Sequence, residues 1–497
     1  MKFFNLGLFH PFMFGIFPIL FIYTNNLSEI SLDSLLIPIL GIFGFISAII
    51  LISIKFSKNI QKTTLFLSFL LLLFFSIGYA KLWFTGFNIF DFNLNQTGFI
   101  IFTYFIIFFV GLISIYKMKY SLEITKIITV VSFVVILSFL PGIILDFSNT
   151  NSHNTSDEKI KFSNLDNPNI YFIILDGYAN NESLKNNFNF DNSKFLKYLE
   201  NSGFIINKNS FSNYEGTMFS MVSTLNINYL HEFKELGANT GMLQKNLYSN
   251  NLVMNTFQDN GYYTIYIDGG GPVRDMKASD EILCHFTDNG LLQTLIDTSA
   301  MTYIFQGFFW DSWNDRRICG FSELENISST TESPFFIYSH LRTPHEPYLR
   351  DVNGNFIEYD ERADQLDEKT FNERYVYQLE YTNKKMIEII PKLLSIEPKP
   401  IIILASDHGW KYNTGLDLTD EEIIQRHSNF AAFYVPDSKN PKFYSEISLV
   451  NIFRILFNDY FGTNLEILED KVYDVNGKNM DNYIDQKDIT YLFDSKN

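Results

Sequence analysis

The first 150 residues contain no arginine and only eight lysines, set against five acids. The rest of the chain carries a net charge of −20, which repels nucleic acid and excludes it as a partner. That acidic surface is compatible with cation binding, although such surfaces often serve solubility alone. Only two cysteines occur, Cys284 and Cys319, so the choice lies between one disulfide and two separate thiols. There is no repeat of solenoid period, and no low-complexity tract outside one polar stretch at 147–167.

Apolar residues make up 46% of the chain, with 52 phenylalanines, and they are concentrated at the amino-terminal end. Five apolar stretches, at 3–23, 33–54, 63–84, 98–116 and 125–146, each approach the ~20 residues needed to cross a hydrocarbon core. The first could instead be a signal peptide, since Lys2 precedes its apolar core. It lacks a small-residue cleavage site, however, and four more stretches follow it. Lys55, Lys58 and Lys62 follow the second stretch, and Lys117, Lys119 and Lys126 border the fourth and fifth. The loops after the first and third have no Lys or Arg. Because basic loops stay in the cytoplasm, everything after Asp146 is expected outside it. His10, inside the first stretch, is either a bundle or interface residue or a group that handles lipid.

The expected organisation is therefore a transmembrane domain over 1–146, a linker over 147–167 and an extracytoplasmic domain over 168–497. In the last of these, β-type runs near 169–175, 203–206, 262–267, 334–339, 400–405 and 430–435 alternate with helical patterns near 191–201, 242–258, 369–395 and 445–460. This rhythm predicts an α/β fold, with a mainly parallel sheet covered by helices on both faces. The helix over Tyr444 to Gly462 is expected to pack on that sheet.

Several strands run out into polar residues that can hold a metal. Ile401 to Ala405 stops at Ser406-Asp407-His408-Gly409, placing a carboxylate and an imidazole at a strand's carboxyl end, where α/β sheets bind ligands. Ile173-Ile174-Leu175 ends at Asp176-Gly177, which reads either as a second ligand or as a common turn pair. In Glu215-Gly216-Thr217-Met218, the threonine opens a helix. It is either a cap or a nucleophile standing where exposed amides favour a phosphate-like anion. The strand through Tyr338-Ser339 runs into His340-Leu341-Arg342-Thr343-Pro344-His345-Glu346-Pro347, a stiffened loop suited to a histidine that binds an oxyanion or donates a proton.

Taken in order, these elements resemble the alkaline phosphatase and sulfatase superfamily. Its membrane-anchored sulfatase-like transferases, among them lipoteichoic acid synthases and lipid A phosphoethanolamine transferases, are the most similar branch. The resemblance implies an alkaline-phosphatase-like domain behind a five-helix bundle in a bacterial inner (cell) membrane. It further implies a divalent metal, Mn or Zn, on Asp176, Thr217, Asp407 and His408, with Thr217 also the nucleophile. His345 corresponds to the substrate-binding histidine, with Arg342 beside it. A second metal would draw on His340, His427 or Asp268, although Asp268 also reads as a glycine-rich turn. Two departures matter. The transferase branch generally has Glu at the place of Asp176, and Thr217-Met218-Phe219-Ser220-Met221 lacks the Pro and Arg that formylglycine sulfatases require.

The expected activity is transfer of a phosphoethanolamine- or phosphoglycerol-type head group from a membrane lipid donor to an envelope glycan or lipid, through a covalent threonine. The alternatives are a phosphatase, phosphodiesterase or sulfuric-ester hydrolase of the same superfamily, and a noncatalytic polymer-binding protein.

Overall fold

Strand β1, Ile170–Leu175, has all six side chains buried, which suits a strand covered on both faces. Alternate residues feed two separate cores. Ile170, Phe172 and Ile174 pack with Met221, Phe257 and Phe453, while Tyr171, Ile173 and Leu175 pack with Leu199, Tyr375 and Ile389. Each buried side chain of this size contributes roughly 1.5–3 kcal/mol.

The chain is described here from a computed structural model. It covers residues 8–144 and 159–494, apart from 28–29, 31, 58, 84–87, 90–91, 94–96, 164–166, 237–242, 271–272, 274–275, 285–289, 304–316, 328–333, 358–366, 411–417, 437–442, 445–446 and 476–485. Two compact units emerge, residues 1–155 with 287–310, and residues 156–286 with 311–497.

The first unit contains helices α1 His10–Asn25, α2 Leu36–Phe56, α3 Ile60–Trp83, α4 Thr97–Lys117 and α5 Ser121–Leu137. Four segments are long and apolar enough to cross a membrane: Leu36–Phe56, Ile60–Lys81, Gly98–Lys117 and Ser121–Ile144. The first expected stretch, 3–23, differs. Its described helix has 16 residues, about 24 Å of rise against a hydrocarbon core of ~30 Å, and residues 1–7 lie outside the described part. His10 is fully buried, with Nδ1 2.7 Å from Ser68 Oγ. Residues 290–303, which lie between two stretches of the second unit in sequence, also belong here: Gly78 N–H donates to the Thr298 carbonyl, and Ala300 N–H to that of Phe74.

The second unit is built on a seven-stranded sheet. Besides β1 it contains β2 Ile205–Asn207, β3 Tyr263–Gly269, β4 Glu281–Leu283, β5 Phe335–Leu341, β6 Ile401–Ala405 and β7 Ala431–Tyr434. The order is β2-β7-β6-β1-β5-β3-β4, parallel throughout except for β7 and β2, which run antiparallel to their neighbours. The described helices include α6 Asn181–Phe188, α7 Ser193–Asn201, α8 Thr217–Leu225, α9 Leu252–Asp259, α10 Gly290–Asp297 (in the first unit), α11 Glu368–Leu394, α12 Asp420–His427 and α13 Leu449–Phe461. The mainly parallel sheet with helices on both faces matches the expected α/β architecture.

The helix expected over 242–258 is divided. Gln244–Tyr248 forms a π-type turn, and Asn251 then caps α9 by accepting from Met254 N–H at 2.9 Å. Apolar periodicity continues across such a break, so pattern alone does not reveal it. In the stretch read as linker, Phe162 stacks on Phe461 with ring centroids 4.0 Å apart. Cys284 and Cys319 form a disulfide, with Cα atoms 5.7 Å apart.

Candidate metal centre and nucleophile

The parallel register brings the site together. Strands β1, β5 and β6 lie side by side in the middle of the sheet and end together, so Asp176, His340 and Asp407 emerge at one edge of the fold. The turn after β1 needs Gly177, whose φ is +68°. A Cβ there would stand 3.2 Å from the His345 ring and 3.6 Å from that of His408. Gly409 is equally constrained, because a Cβ would fall 2.0 Å from the Gln425 carbonyl oxygen.

Each carboxylate commits one oxygen to the protein and leaves the other unbonded. Asp407 Oδ1 accepts from the amides of Gly177 and His408, both at 3.0 Å, while its Oδ2 is buried without a hydrogen-bond partner. Asp176 Oδ2 lies 3.4 Å from His340 Nε2, while its Oδ1 is likewise buried and unpartnered. His408 Nδ1–H donates to the Gly409 carbonyl at 2.6 Å, which turns the Nε2 lone pair toward these oxygens. His408 Nε2 is 3.5 Å from each of Asp176 Oδ1, Asp407 Oδ2 and Thr217 Oγ1.

Four ligands held 2.0–2.1 Å from a tetrahedral centre would stand about 3.3–3.4 Å apart. The His408 distances match that spacing. A lone pair facing two buried, unpartnered carboxylate oxygens is electrostatically unfavourable unless a cation lies among them. The residues present therefore fit a divalent metal.

Thr217 is the first residue of α8, and the cap position is taken by Gly216, φ +76°. The threonine hydroxyl lies 3.5 Å from His408 Nε2, and the cap position belongs to its neighbour. Of the two serines on the same helix, Ser220 donates to the Asp407 carbonyl at 2.6 Å and Ser223 to that of Asn228 at 2.8 Å.

Three histidines surround Asp176. Burial would raise its carboxyl pKa, but His345, His340 and His408 together hold it below the usual range. Asp176, His345 and His408 converge closely enough to share an ion, as do Asp176, His340 and Asp407. Burial lowers the His345 pKa, and nearby His408 and Arg342 add to this against the pull of Asp176. His345 Nδ1–H donates to the Glu346 carbonyl at 2.9 Å, leaving Nε2 available. Burial acts to lower His340, but the Asp176 carboxylate outweighs it and raises the pKa.

The remaining candidates are placed differently. His427 is buried, with Nδ1–H donating to the Ser212 carbonyl at 3.0 Å, and burial lowers its pKa to about 4, with His408 near enough to add to this. Asp268 is not in a loose turn. It is buried near the end of β3, in register with His340, and accepts from Gly270 N–H at 2.9 Å. Arg342 is half-buried, and its Cβ lies over Gly270.

The sequence reading missed the residues that hold these groups. Tyr338 and Tyr248 place their hydroxyls 3.0 and 3.4 Å from His340 Nδ1 and 2.8 Å from each other. Tyr338 could have been found, since period two on a strand puts it on the face of His340. Arg317 donates to the carbonyls of Pro347 and Glu346 at 2.7 and 2.8 Å, and Gln378 to those of His345 and Pro344 at 2.8 and 3.1 Å. Together they clamp the His345 loop. Nothing in their sequence surroundings marks them.

The Sulfatase family model matches residues 168–429. No curated protein matches the sequence. Among solved structures, the C-terminal periplasmic domain of EptC from Escherichia coli in complex with Zn is similar at 12% identity and a TM-score of 0.41, covering 63% of this chain and 91% of that one. The corresponding domain of the phosphoethanolamine transferase EptC from Campylobacter jejuni is similar at 16% identity and a TM-score of 0.38, over 61% and 92%. A putative sulfatase from Bacteroides thetaiotaomicron gives 12% and 0.41, over 62% and 78%.

Proposed function

The chain belongs to the sulfatase family, and on that premise we propose that it is a metal-dependent transferase. It would move a phosphate-linked head group, of phosphoethanolamine or phosphoglycerol type, from a lipid donor to an envelope glycan or lipid. The supporting observation is the Thr217 hydroxyl, 3.5 Å from His408 Nε2 at the start of α8, beside two buried carboxylate oxygens that have no partner.

Asp176, Thr217, Asp407 and His408 would hold a divalent ion such as Mn or Zn, which when bound lowers the pKa of the hydroxyl and offsets charge on the phosphate. Thr217 Oγ forms a bond to phosphorus as the bond to the lipid alkoxide breaks, and the hydroxyl proton passes to the departing alkoxide. The alkoxide leaves protonated, and a phosphothreonine diester remains. His345 in its protonated form, donating through Nε2–H, and the amides of the first turn of α8 would stabilise the non-bridging oxygens. An acceptor hydroxyl then attacks phosphorus, restoring the Thr217 hydroxyl.

Four helices able to cross a membrane, with lysine-bearing loops on one side, favour an extracytoplasmic site that draws its donor from the adjacent leaflet. A second reading rests on Asp176. The transferase branch generally carries glutamate at this place, whereas sulfatases and phosphodiesterases also use aspartate, so a hydrolase of the same superfamily is the second reading.

Intact-mass analysis of the protein incubated with Mn²⁺ or Zn²⁺ and mixed phospholipids tests the covalent step. A head-group adduct on Thr217 is expected. Absence of an adduct with every donor would sink the transfer mechanism, and free head group released without an acceptor would identify a hydrolase.

A further inference from the structure

Two clefts in the second unit, of about 390 and 360 Å³, share Asn186, Asn187, Glu421 and Gln425, and so adjoin as two lobes of a groove with the Gln425–Asn187 hydrogen bond between them. It lies between α6 and α12. At one end stand Phe211 and Phe493, with ring centroids 5.4 Å apart, and at the other Trp410, two residues beyond His408. Its floor continues from the metal-site loops: Asn180, four residues after Asp176, lines it, and its N–H donates to the Ser428 carbonyl at 3.2 Å.

The lining chemistry is amide, hydroxyl and carboxylate. Gln425 Nε2 donates to Asn187 Oδ1 at 2.9 Å, and Asn187 Nδ2 donates to Ser183 Oγ at 3.0 Å, which fixes the orientation of these amides. Two buried polar atoms in the lining have no protein partner, Ser210 Oγ, on a residue only 2% exposed, and Asn372 Oδ1. Buried polar atoms are ordinarily hydrogen-bonded, so these point to a ligand or to water. The only basic residue among the described lining residues is Arg426, and its guanidinium is paired with Glu215 at 2.8 Å. Glu182, Glu368, Glu421 and Glu422 add negative charge. Such a groove rejects phosphorylated ligands. Amides, hydroxyls and acids match the hydroxyls of sugars, and the partly exposed rings of Phe211 and Phe493 at one end match their apolar faces.

We propose that this groove binds the saccharide part of the acceptor, a neutral or amine-bearing glycan. The inference rests on the transferase reading for its role, but its binding chemistry stands on the groove itself. It makes the glycan, in place of a phosphorylated lipid head group, the acceptor that the protein recognises.

The test is titration of the full-length protein in detergent with three probes: chitotetraose, a glucosamine oligomer and a phosphorylated disaccharide, followed by saturation-transfer NMR and calorimetry. Binding of either uncharged or amine-bearing oligomer in preference to the phosphorylated sugar is expected. Asn186→Ala and Ser210→Ala should each weaken it at least fivefold, with unchanged melting temperature as the control for folding. No binding by any sugar, equal binding by the variants, or preference for the phosphorylated sugar would each overturn the proposal. The Thr217 adduct assay separates the two readings: an adduct without sugar binding overturns the groove alone, and sugar binding without an adduct overturns the transferase reading alone.

Discussion

Thr217 and His340 carry the sharpest residue-scale expectations. Thr217→Ala should remove the covalent adduct and lower turnover by roughly 10⁴-fold or more, as loss of a nucleophile does elsewhere, while Thr217→Ser should keep an adduct visible by intact mass. His340 is wholly buried between Asp176 and the hydroxyls of Tyr338 and Tyr248. Its replacement by asparagine should weaken metal affinity or activity by about 10–100-fold, measured by competition with a metal-sensitive dye and by turnover of a soluble phosphodiester. His427 should govern stability instead. Its folded pKa lies near 4, below the ordinary 6.5, so the unfolded chain takes up a proton that the folded chain refuses. The stabilisation is complete above pH 6.5 and is lost as pH falls toward 4, about 3 kcal/mol at most. Melting curves of wild type and His427→Gln across that window should converge at low pH; parallel curves would count against this account.

At the scale of elements, the loop carrying His345 is the part most dependent on support. Its carbonyls are held by Arg317 and Gln378, and its own His345 N–H donates to the Asp176 carbonyl at 3.0 Å. Gln378→Ala should misplace His345 and lower turnover roughly ten- to a hundredfold, with little change in metal affinity. A fall in metal affinity equal to the fall in turnover would show that the loop serves the metal instead. The disulfide joins Cys284 to Cys319 across a separation of 35 residues, and the chain between them enters the other unit and returns. Its loss in Cys284→Ser/Cys319→Ser should destabilise the protein by about 3–4 kcal/mol, read as a lowered denaturant midpoint.

For the molecule as a whole, an acidic second unit with two partnerless carboxylate oxygens should be stabilised by a divalent ion. Metal at a hundredfold excess over its dissociation constant would add about 2.7 kcal/mol. Chelation should therefore lower the melting temperature, and Mn²⁺ or Zn²⁺ should restore it. An unchanged melting temperature with the Asp407→Asn variant as reference would argue against a metal at this site.

Much of this was legible from the chain alone. Runs such as Ile401 to Ala405 end abruptly in polar residues, and burial of a strand on both faces demands an unbroken apolar run, so β1, β5 and β6 and the residues that follow them can be read directly. Four of the long apolar helices could be read for the same reason, because spanning a hydrocarbon core requires length and hydropathy that leave a plain trace. What only the tertiary structure decided depends on contacts between distant segments. Parallel register brings Asp176, His340 and Asp407 to one edge, turns Thr217 toward His408 and sets His427 on the Ser212 carbonyl. It supplies Tyr248, Arg317 and Gln378 as supports, and it sets the amides of α6 opposite those of α12. None of these partners is near the others in sequence, and local periodicity contains no information about pairing across hundreds of residues.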